Sequence, residues 1–269
     1  VKVTTWVMDL WPDILSALNL VSNRHIIWLL TFISSRIYRL SDSLLISSEG
    51  FRSRLRELGV KDESIHYFPQ WVEDVMETSD MSSTQEYKEI EELLNEYNHL
   101  KKIVFTGNIG ECQNLPSVLQ AIEIIKHRND FVFLIVGSGR EEQRVSRLVS
   151  DNGLENHVKL LGRFPVKYMS SFYHFSDALL LPLAEDPLFE ITLPGKTQSY
   201  LYAGRPIIGF LDGEGASVLH RSKSAFVCGA GSSNELAEAI ETFCDSSQRE
   251  LEELGLSARR YAEENFRSE

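Results

Sequence analysis

From Lys101 onward the sequence alternates short, continuous apolar runs with longer segments of helical periodicity, and this alternation restricts the fold more than any other feature. Residues 102–106, 131–136, 158–161 and 178–181 are four such runs, and 206–209 and 225–227 read as the next two. A strand that is apolar at every position, rather than at every second one, has both of its faces covered. That is the condition of a parallel sheet lying between layers of crossover helices. One intervening segment shows the helical stripe directly, because Leu115, Val118, Leu119, Ile122 and Ile125 fall on one face. The pattern predicts an α/β fold and, for this region, a doubly wound, Rossmann-like domain.

Upstream the same alternation is weaker. Residues 1–8 read as a core strand, 43–47 and 64–68 as two more, with helices over 26–39 and 50–58. Three strands cannot cover both faces of a stable sheet, so this part reads as the second half of a larger, incomplete Rossmann-like domain. The chain also starts without Met, inside its first strand, which suggests missing upstream sequence. Residues 73–85 lack periodicity and read as a linker. An acidic helix over 86–96, its charges on a solvated face, leads into the second domain. Residues 248–266 form a long amphipathic helix carrying Leu251, Leu254, Ala258, Tyr261 and Ala262. The expected division is therefore 1–85, 86–247, and a C-terminal helix over 248–269 packing back toward the first domain.

Acidic residues outnumber basic ones, 39 to 27, for a formal charge of −12. A general nucleic-acid binder needs a basic face to neutralise phosphates, so no nucleic-acid partner is expected. One local anion site remains compatible with that balance. Cys112, Cys228 and Cys244 are far apart and odd in number, with no C-x-x-C or Cys/His cluster, so a reducing, cytoplasmic setting and no metal are expected. His66, His99, His127 and His157 stand at element ends and read as surface residues. The longest apolar run, residues 26–33, is too short to span a bilayer.

In an open parallel sheet, ligands bind where the strands end, and three turns of the second domain carry suggestive residues there. The first is Gly107-Asn108-Ile109-Gly110, whose glycines let the backbone approach a ligand and turn its N–H groups outward. A tight βα connection explains them equally well. The second is Gly137-Ser138-Gly139-Arg140. Neither completes the dinucleotide fingerprint, which disfavours a nicotinamide-dependent enzyme. The third is Leu193-Pro194-Gly195-Lys196-Thr197-Gln198-Ser199-Tyr200-Leu201, running into Ala203-Gly204-Arg205-Pro206. It places Lys196 in the first turn of a helix, where a cation opposes the helix dipole unless an anion is held there. An exposed lysine that tolerates the small cost is the plain alternative. The glycine turns at neighbouring strand ends favour an anion site. Beyond lies Asp212-Gly213-Glu214-Gly215, where Glu214 is placed to accept hydrogen bonds from sugar hydroxyls, although an ordinary polar turn explains it nearly as well.

These segments, together with Trp6-Val7-Met8-Asp9-Leu10-Trp11-Pro12-Asp13, Ser47-Ser48-Glu49-Gly50-Phe51, Phe68-Pro69-Gln70-Trp71-Val72 and Leu161-Gly162-Arg163-Phe164-Pro165, occur in the order found in a known family. The chain resembles the retaining glycosyltransferases of family 4 (group 1), especially those that transfer amino sugars in O-antigen and capsule assembly. The resemblance implies two Rossmann-like domains of the GT-B type, the N-terminal one incomplete here, with a nucleotide-sugar donor in the second. It implies a UDP- or GDP-sugar as substrate, with no separate cofactor and no metal. It also implies a glycan or polyprenyl-diphosphate-linked acceptor.

By the same resemblance Lys196 and Asp9 are the catalytic candidates, Lys196 on the diphosphate and Asp9, with Trp11, facing the cleft. Gly107, Asn108, Gly110, Gly137, Gly139 and Gly195 would lie along the donor. Arg163 and Phe164 would frame its base, and Gln198, Ser199 and Glu214 would contact its sugars. Many relatives carry a glutamate pair where this chain has Ile191 and Ser199; Glu190 and Gln198 stand one residue away. The Arg and Lys of the first glycine turn are also missing, with Asn108 and Gln113 nearby instead, so Lys196 would carry more of the diphosphate charge, and Arg205 is an alternative donor. Arg24, Arg36, Arg39, Arg52, Arg54 and Arg56 beside the apolar run suggest a peripheral membrane face. Two alternatives share this architecture: a nucleotide-sugar 2-epimerase, and a nucleotide-binding fragment inactive by itself.

Overall fold

Among the described residues two parallel sheets carry the apolar runs, one of three strands and one of six. The computed structural model describes residues 1–72 and 81–267, and most of the expected linker, residues 73–80, lies outside them. The chain divides into two compact units. The first comprises residues 1–70, 185–195 and 213–215; the second comprises 71–184, 196–212 and 216–269. The first stretch of the first unit thus ends at residue 70, close to where the expected linker begins, and the unit takes back two loops of the later sequence.

In the first unit the elements are β1 (Thr4–Val7), α1 (Asp13–Ala17), α2 (Arg24–Leu40), β2 (Ser43–Ile46), α3 (Phe51–Glu57) and β3 (Ile65–Tyr67). All three strands are parallel, in the order β1-β2-β3. The central strand β2 buries Leu44 and Ile46 fully, whereas in β1 only Val7 is buried and Trp6 is 37% exposed. Among the described residues β1 has no strand on its outer side. Asn23 caps α2 by accepting from the His25 and Ile26 amides. The residues 185–195 belong to this unit through Ser48, whose hydroxyl donates to the Ile191 carbonyl (2.7 Å) and accepts from the Leu193 amide (3.1 Å).

The second unit contains α4 (Gln85–Leu94), β4 (Lys101–Thr106), α5 (Leu115–Ile124), β5 (Phe131–Val136), α6 (Glu142–Asp151), β6 (Val158–Gly162), α7 (Met169–Phe175) and β7 (Ala178–Pro182). After the short α8 (Pro187–Glu190) of the first unit come α9 (Thr197–Tyr202), β8 (Ile207–Phe210), α10 (Gly213–Ser222), β9 (Ala225–Cys228), α11 (Ser233–Asp245) and α12 (Gln248–Asn265). The strand order is β6-β5-β4-β7-β8-β9, parallel throughout. Every residue of β5 is buried, and the five apolar residues forming the predicted stripe of α5 are each at most 1% exposed. Continuous apolar runs became central strands because helices cover both faces, as their composition requires.

One local expectation changes. His157 is buried, not superficial: its Nε2 lies 2.7 Å from the Arg128 carbonyl, and its ring meets Phe131. The acidic face of α4 makes surface bonds, Glu86 with Lys167 and Glu89 with the Tyr168 hydroxyl. The helix α12 belongs to the second unit and packs on α9, where Gly255 lies so close to Gly204 that an added Cβ would fall 2.3 Å from its carbonyl oxygen.

Candidate functional site

The direction in which successive strands are added to the six-stranded sheet reverses between β4 and β7, with β5 and β6 on one side and β8 and β9 on the other. Such a switch point opens a crevice at the carboxyl ends of the strands, the usual place for a ligand in this architecture. The turns after β4, β5 and β6 stack beside it. The Gly107 amide donates to the Val136 carbonyl (2.9 Å), that of Gly137 to Gly162 (2.8 Å), and that of Ile109 to Ser138 (2.9 Å).

This stacking explains the glycines differently from the sequence reading. Gly107 and Gly137 have φ of +137° and +155°, a region that side-chain-bearing residues rarely adopt. A Cβ on Gly137 would fall 1.8 Å from the Gly107 oxygen, and one on Gly139 would fall 2.2 Å from the Ile109 oxygen. The amides of Gly107 and Gly137 are engaged with backbone, so these residues supply close approach and open space rather than free donors. Asn108, at the rim of the turn, is exposed, and its side chain lies against Gly110.

Into that space comes Lys196. Its Nζ donates to Gln113 Oε1 at 2.7 Å, sits 4.0 Å from the centre of the Phe105 ring, and lies 3.2 Å from where a Cβ on Gly107 would be. The residue as a whole is half-buried, yet its ammonium is crowded enough that desolvation pulls its pKa down to about 7. No carboxylate pairs with it among the described residues; the Cys112 thiol is the one ionisable neighbour that favours its charge. A buried cation without a counter-ion is costly, and its arrangement here suits an anionic ligand.

The anchoring of Lys196 is equally specific. Four residues on, the Tyr200 hydroxyl accepts from the Thr106 amide (2.9 Å) and lies 3.2 Å from the Thr106 hydroxyl, which also meets Tyr173 (3.0 Å); all are buried. This cluster ties α9 to the end of β4. However, Lys196 is the residue preceding α9, in αR conformation, and not a member of its first turn, and α9 is only six residues long. The dipole conflict invoked from the sequence is therefore weaker than expected, and the ammonium itself is the dominant positive feature.

Other candidates are distributed more widely. Arg163 is exposed at the end of β6, while Phe164 packs edge-on against Phe172 (4.9 Å) and Tyr168 (5.6 Å). Gln198 is only 2% exposed, with its Oε1 enclosed and lacking a hydrogen-bond partner, and Ser199 is half-buried. Gly195 and Glu214 belong to the first unit, Gly195 beside Gln70 and Glu214 half-buried in the first turn of α10. Asp9 is exposed just after β1, where it lines a 430 Å³ cleft of the first unit with Trp6, Trp11 and Tyr38. Arg205 precedes β8 and so lies at the amino-terminal end of the parallel strands, whereas Gly107 follows the carboxyl end of β4, and Arg205 is bonded to the His174 carbonyl. It cannot substitute for Lys196 in that crevice.

Sequence reasoning missed Phe105 as the floor under the ammonium and Tyr200 as its anchor. Both read simply as core. It noted Gln113 without a role.

Residues 100–246 match the family described as glycosyl transferases group 1. The chain is 28% identical over 120 residues to the putative colanic acid biosynthesis glycosyl transferase WcaI of Escherichia coli K12, covering 43% of this chain and 28% of that protein. It is 21% identical over 271 residues to the probable glycosyltransferase WbjE of Pseudomonas aeruginosa, covering 97% and 64%. It thus spans less than two thirds of the length of either relative. Among solved structures, Anabaena HepE in complex with UDP-glucose has a TM-score of 0.78 at 14% identity, covering 99% of this chain and 68% of that one. At such identity the likeness speaks for the fold, two Rossmann-like units of the GT-B type. Since the matched stretch takes in the entire six-stranded sheet with its glycine turns and Lys196, the chain belongs to the glycosyl transferases group 1 family.

Proposed function

We propose that the chain is the donor-binding part, and some of the acceptor part, of a retaining hexosyltransferase acting in bacterial polysaccharide or lipopolysaccharide assembly. Its donor is a nucleotide diphosphate sugar, UDP- or GDP-linked, with an N-acetylated amino sugar as the transferred group. The acceptor is a glycan or a sugar on a polyprenyl diphosphate. The observation that carries this reading is the desolvated Lys196 ammonium, without a carboxylate partner among the described residues, at the switch point beside Gly107 and Gly137. The complex of HepE with UDP-glucose supports the donor class.

The chemistry follows from what such a cation can stabilise. In glycosyl transfer the bond between the sugar's anomeric carbon and the diphosphate oxygen breaks while the acceptor oxygen bonds to that carbon. Negative charge develops on the leaving diphosphate, and fixed positive charge placed there lowers the barrier. With retention, a leaving-phosphate oxygen takes the acceptor's proton. Lys196 holds the diphosphate in this scheme, and the role of Asp9 on the acceptor side rests on the family resemblance. The acceptor's lipid would be met by α2, which exposes Trp28, Leu29, Phe32, Ile33 and Ile37 and contains three arginines and no acidic residue.

Calorimetry with UDP and GDP tests the donor reading. One charge-assisted hydrogen bond is worth roughly 1.5–3 kcal/mol, so Lys196→Ala should weaken binding of the preferred nucleotide by roughly ten- to a hundredfold. Equal affinity of a folded Lys196→Ala variant would remove the lysine from the site.

A further inference from the structure

We propose that Gln113 is the positioning residue of the donor site: its neutral side-chain oxygen holds the Lys196 ammonium over the Gly107 turn while leaving the positive charge free for a diphosphate. The inference rests on the reading of Lys196 as the diphosphate ligand and assigns the device that keeps it there.

A lysine side chain has four rotatable methylene links and gains little by waiting in one place. Here its terminal nitrogen is bonded to Gln113 Oε1 at 2.7 Å. The opposite end of the same amide is also used, since Gln113 Nε2 donates to Cys112 Sγ at 3.3 Å. Rotating the amide by half a turn would aim its NH₂ group at the ammonium, so the two contacts fix one orientation between them.

The backbone beneath is held as firmly. The Gln113 amide donates to the Gly110 carbonyl (3.1 Å), and the Cys112 carbonyl accepts from the Ala184 amide (2.8 Å), just beyond β7. Asn114 then takes a left-handed conformation, φ +44°, and leads directly into α5. The turn is thus tied to both strands that flank the switch point, and Gln113 is presented from a fixed frame.

The chemical type of the residue matters as much as its place. A glutamate of the same shape would reach the same nitrogen but would neutralise it, and the diphosphate would then have to displace a carboxylate. An amide oxygen orients the cation and yields readily to a phosphate oxygen.

The experiment is a double-mutant cycle read by calorimetry with UDP, using the chain as it stands and the variants Gln113→Ala, Gln113→Glu, Lys196→Ala and Gln113→Ala/Lys196→Ala. Expected is a loss of about three- to tenfold for Gln113→Ala in the native background, from one neutral hydrogen bond, and less than twofold when Lys196 is already alanine. The isosteric Gln113→Glu should bind UDP more weakly than Gln113→Ala. An equal loss from Gln113→Ala in both backgrounds would mean general damage to the turn and overturn the proposal, as would a Gln113→Glu variant with native affinity. If Lys196→Ala binds as tightly as the native chain, the donor reading falls first and the proposal with it. If Lys196→Ala is weak but the cycle is additive, only the proposal falls.

Discussion

An ammonium that desolvation has brought to about 7 keeps its proton only while an anion or a lower pH holds it there. An unfolded lysine titrates near 10.4, so burial here favours the neutral amine, and a bound diphosphate reverses that preference by stabilising the cation. UDP binding should therefore draw up a proton above pH 7, and its affinity should fall as the pH rises through that value. With the bound-state pKa raised well above the free one, the slope is about tenfold per pH unit. Calorimetry at pH 7.5, 8.0 and 8.5 checks this, in a range where the terminal phosphate of UDP is already ionised and its base still neutral. The Lys196→Ala variant should lose the slope, and parallel pH profiles for the two proteins would show that Lys196 does not titrate in the site. Lys196, Gly107 and Gly137 were legible in the sequence because their residue types are unusual for where they stand along the alternation. Phe105 and Tyr200 were not: an aromatic residue in an apolar run reads as core, and only tertiary distance reveals one beneath a cation and the other bonded to Thr106.

At the scale of elements, the close stacking of the first two glycine turns makes a sharper claim than the glycines themselves. Gly137 combines a positive φ with a neighbouring carbonyl 1.8 Å from any added Cβ, whereas Gly153 has φ +64° and nothing within 4 Å of one. Alanine at Gly153 should cost only the conformational preference, about 1–2 kcal/mol. At Gly137 the clash adds to it and must move the Gly107 turn, for a loss of more than about 3 kcal/mol. Chemical denaturation of both variants separates the cases, and equal losses would mean that the two turns are not packed as described. The strands of the larger sheet were readable almost to their ends, because a doubly covered strand needs an apolar residue at every position. The length of α9 and the fate of the arginines were not readable, since each depends on partners distant in sequence. Arg52 pairs with Glu49 and Asp62, and Arg54 with Asp13 and Glu57, so α3 contributes little free positive charge. That leaves α2, with Trp28 68% and Leu40 74% exposed, as the basic apolar element. Sedimentation with vesicles of phosphatidylglycerol should carry the protein down, and Arg24→Glu/Arg36→Glu should reduce the partition at least about tenfold, at roughly 1 kcal/mol for each charge lost. Equal sedimentation of both proteins would refute the membrane role of α2.

For the whole molecule, the net charge of −12 would repel a nucleotide diphosphate at long range, so any binding must come from the local geometry of one crevice. The ammonium and the turns beside it belong to the second unit: β4, β5 and β6 supply the turns, and Lys196 enters from the segment before α9. A ligand held there stabilises the native state of that unit by mass action, about 2.7 kcal/mol at a hundredfold excess over its dissociation constant. For a unit of this size each kcal/mol raises the midpoint of thermal unfolding by about 2–4 °C, so saturating UDP should raise it by about 5–10 °C. The shift should grow with the logarithm of ligand concentration and be largely absent in Lys196→Ala at the same UDP concentration. Inorganic sulfate at equal ionic strength controls for general salt effects. A shift of equal size with sulfate, or one retained in Lys196→Ala, would place the binding elsewhere on the chain, because neither simple screening nor a site without that ammonium matches the crevice between β4 and β7.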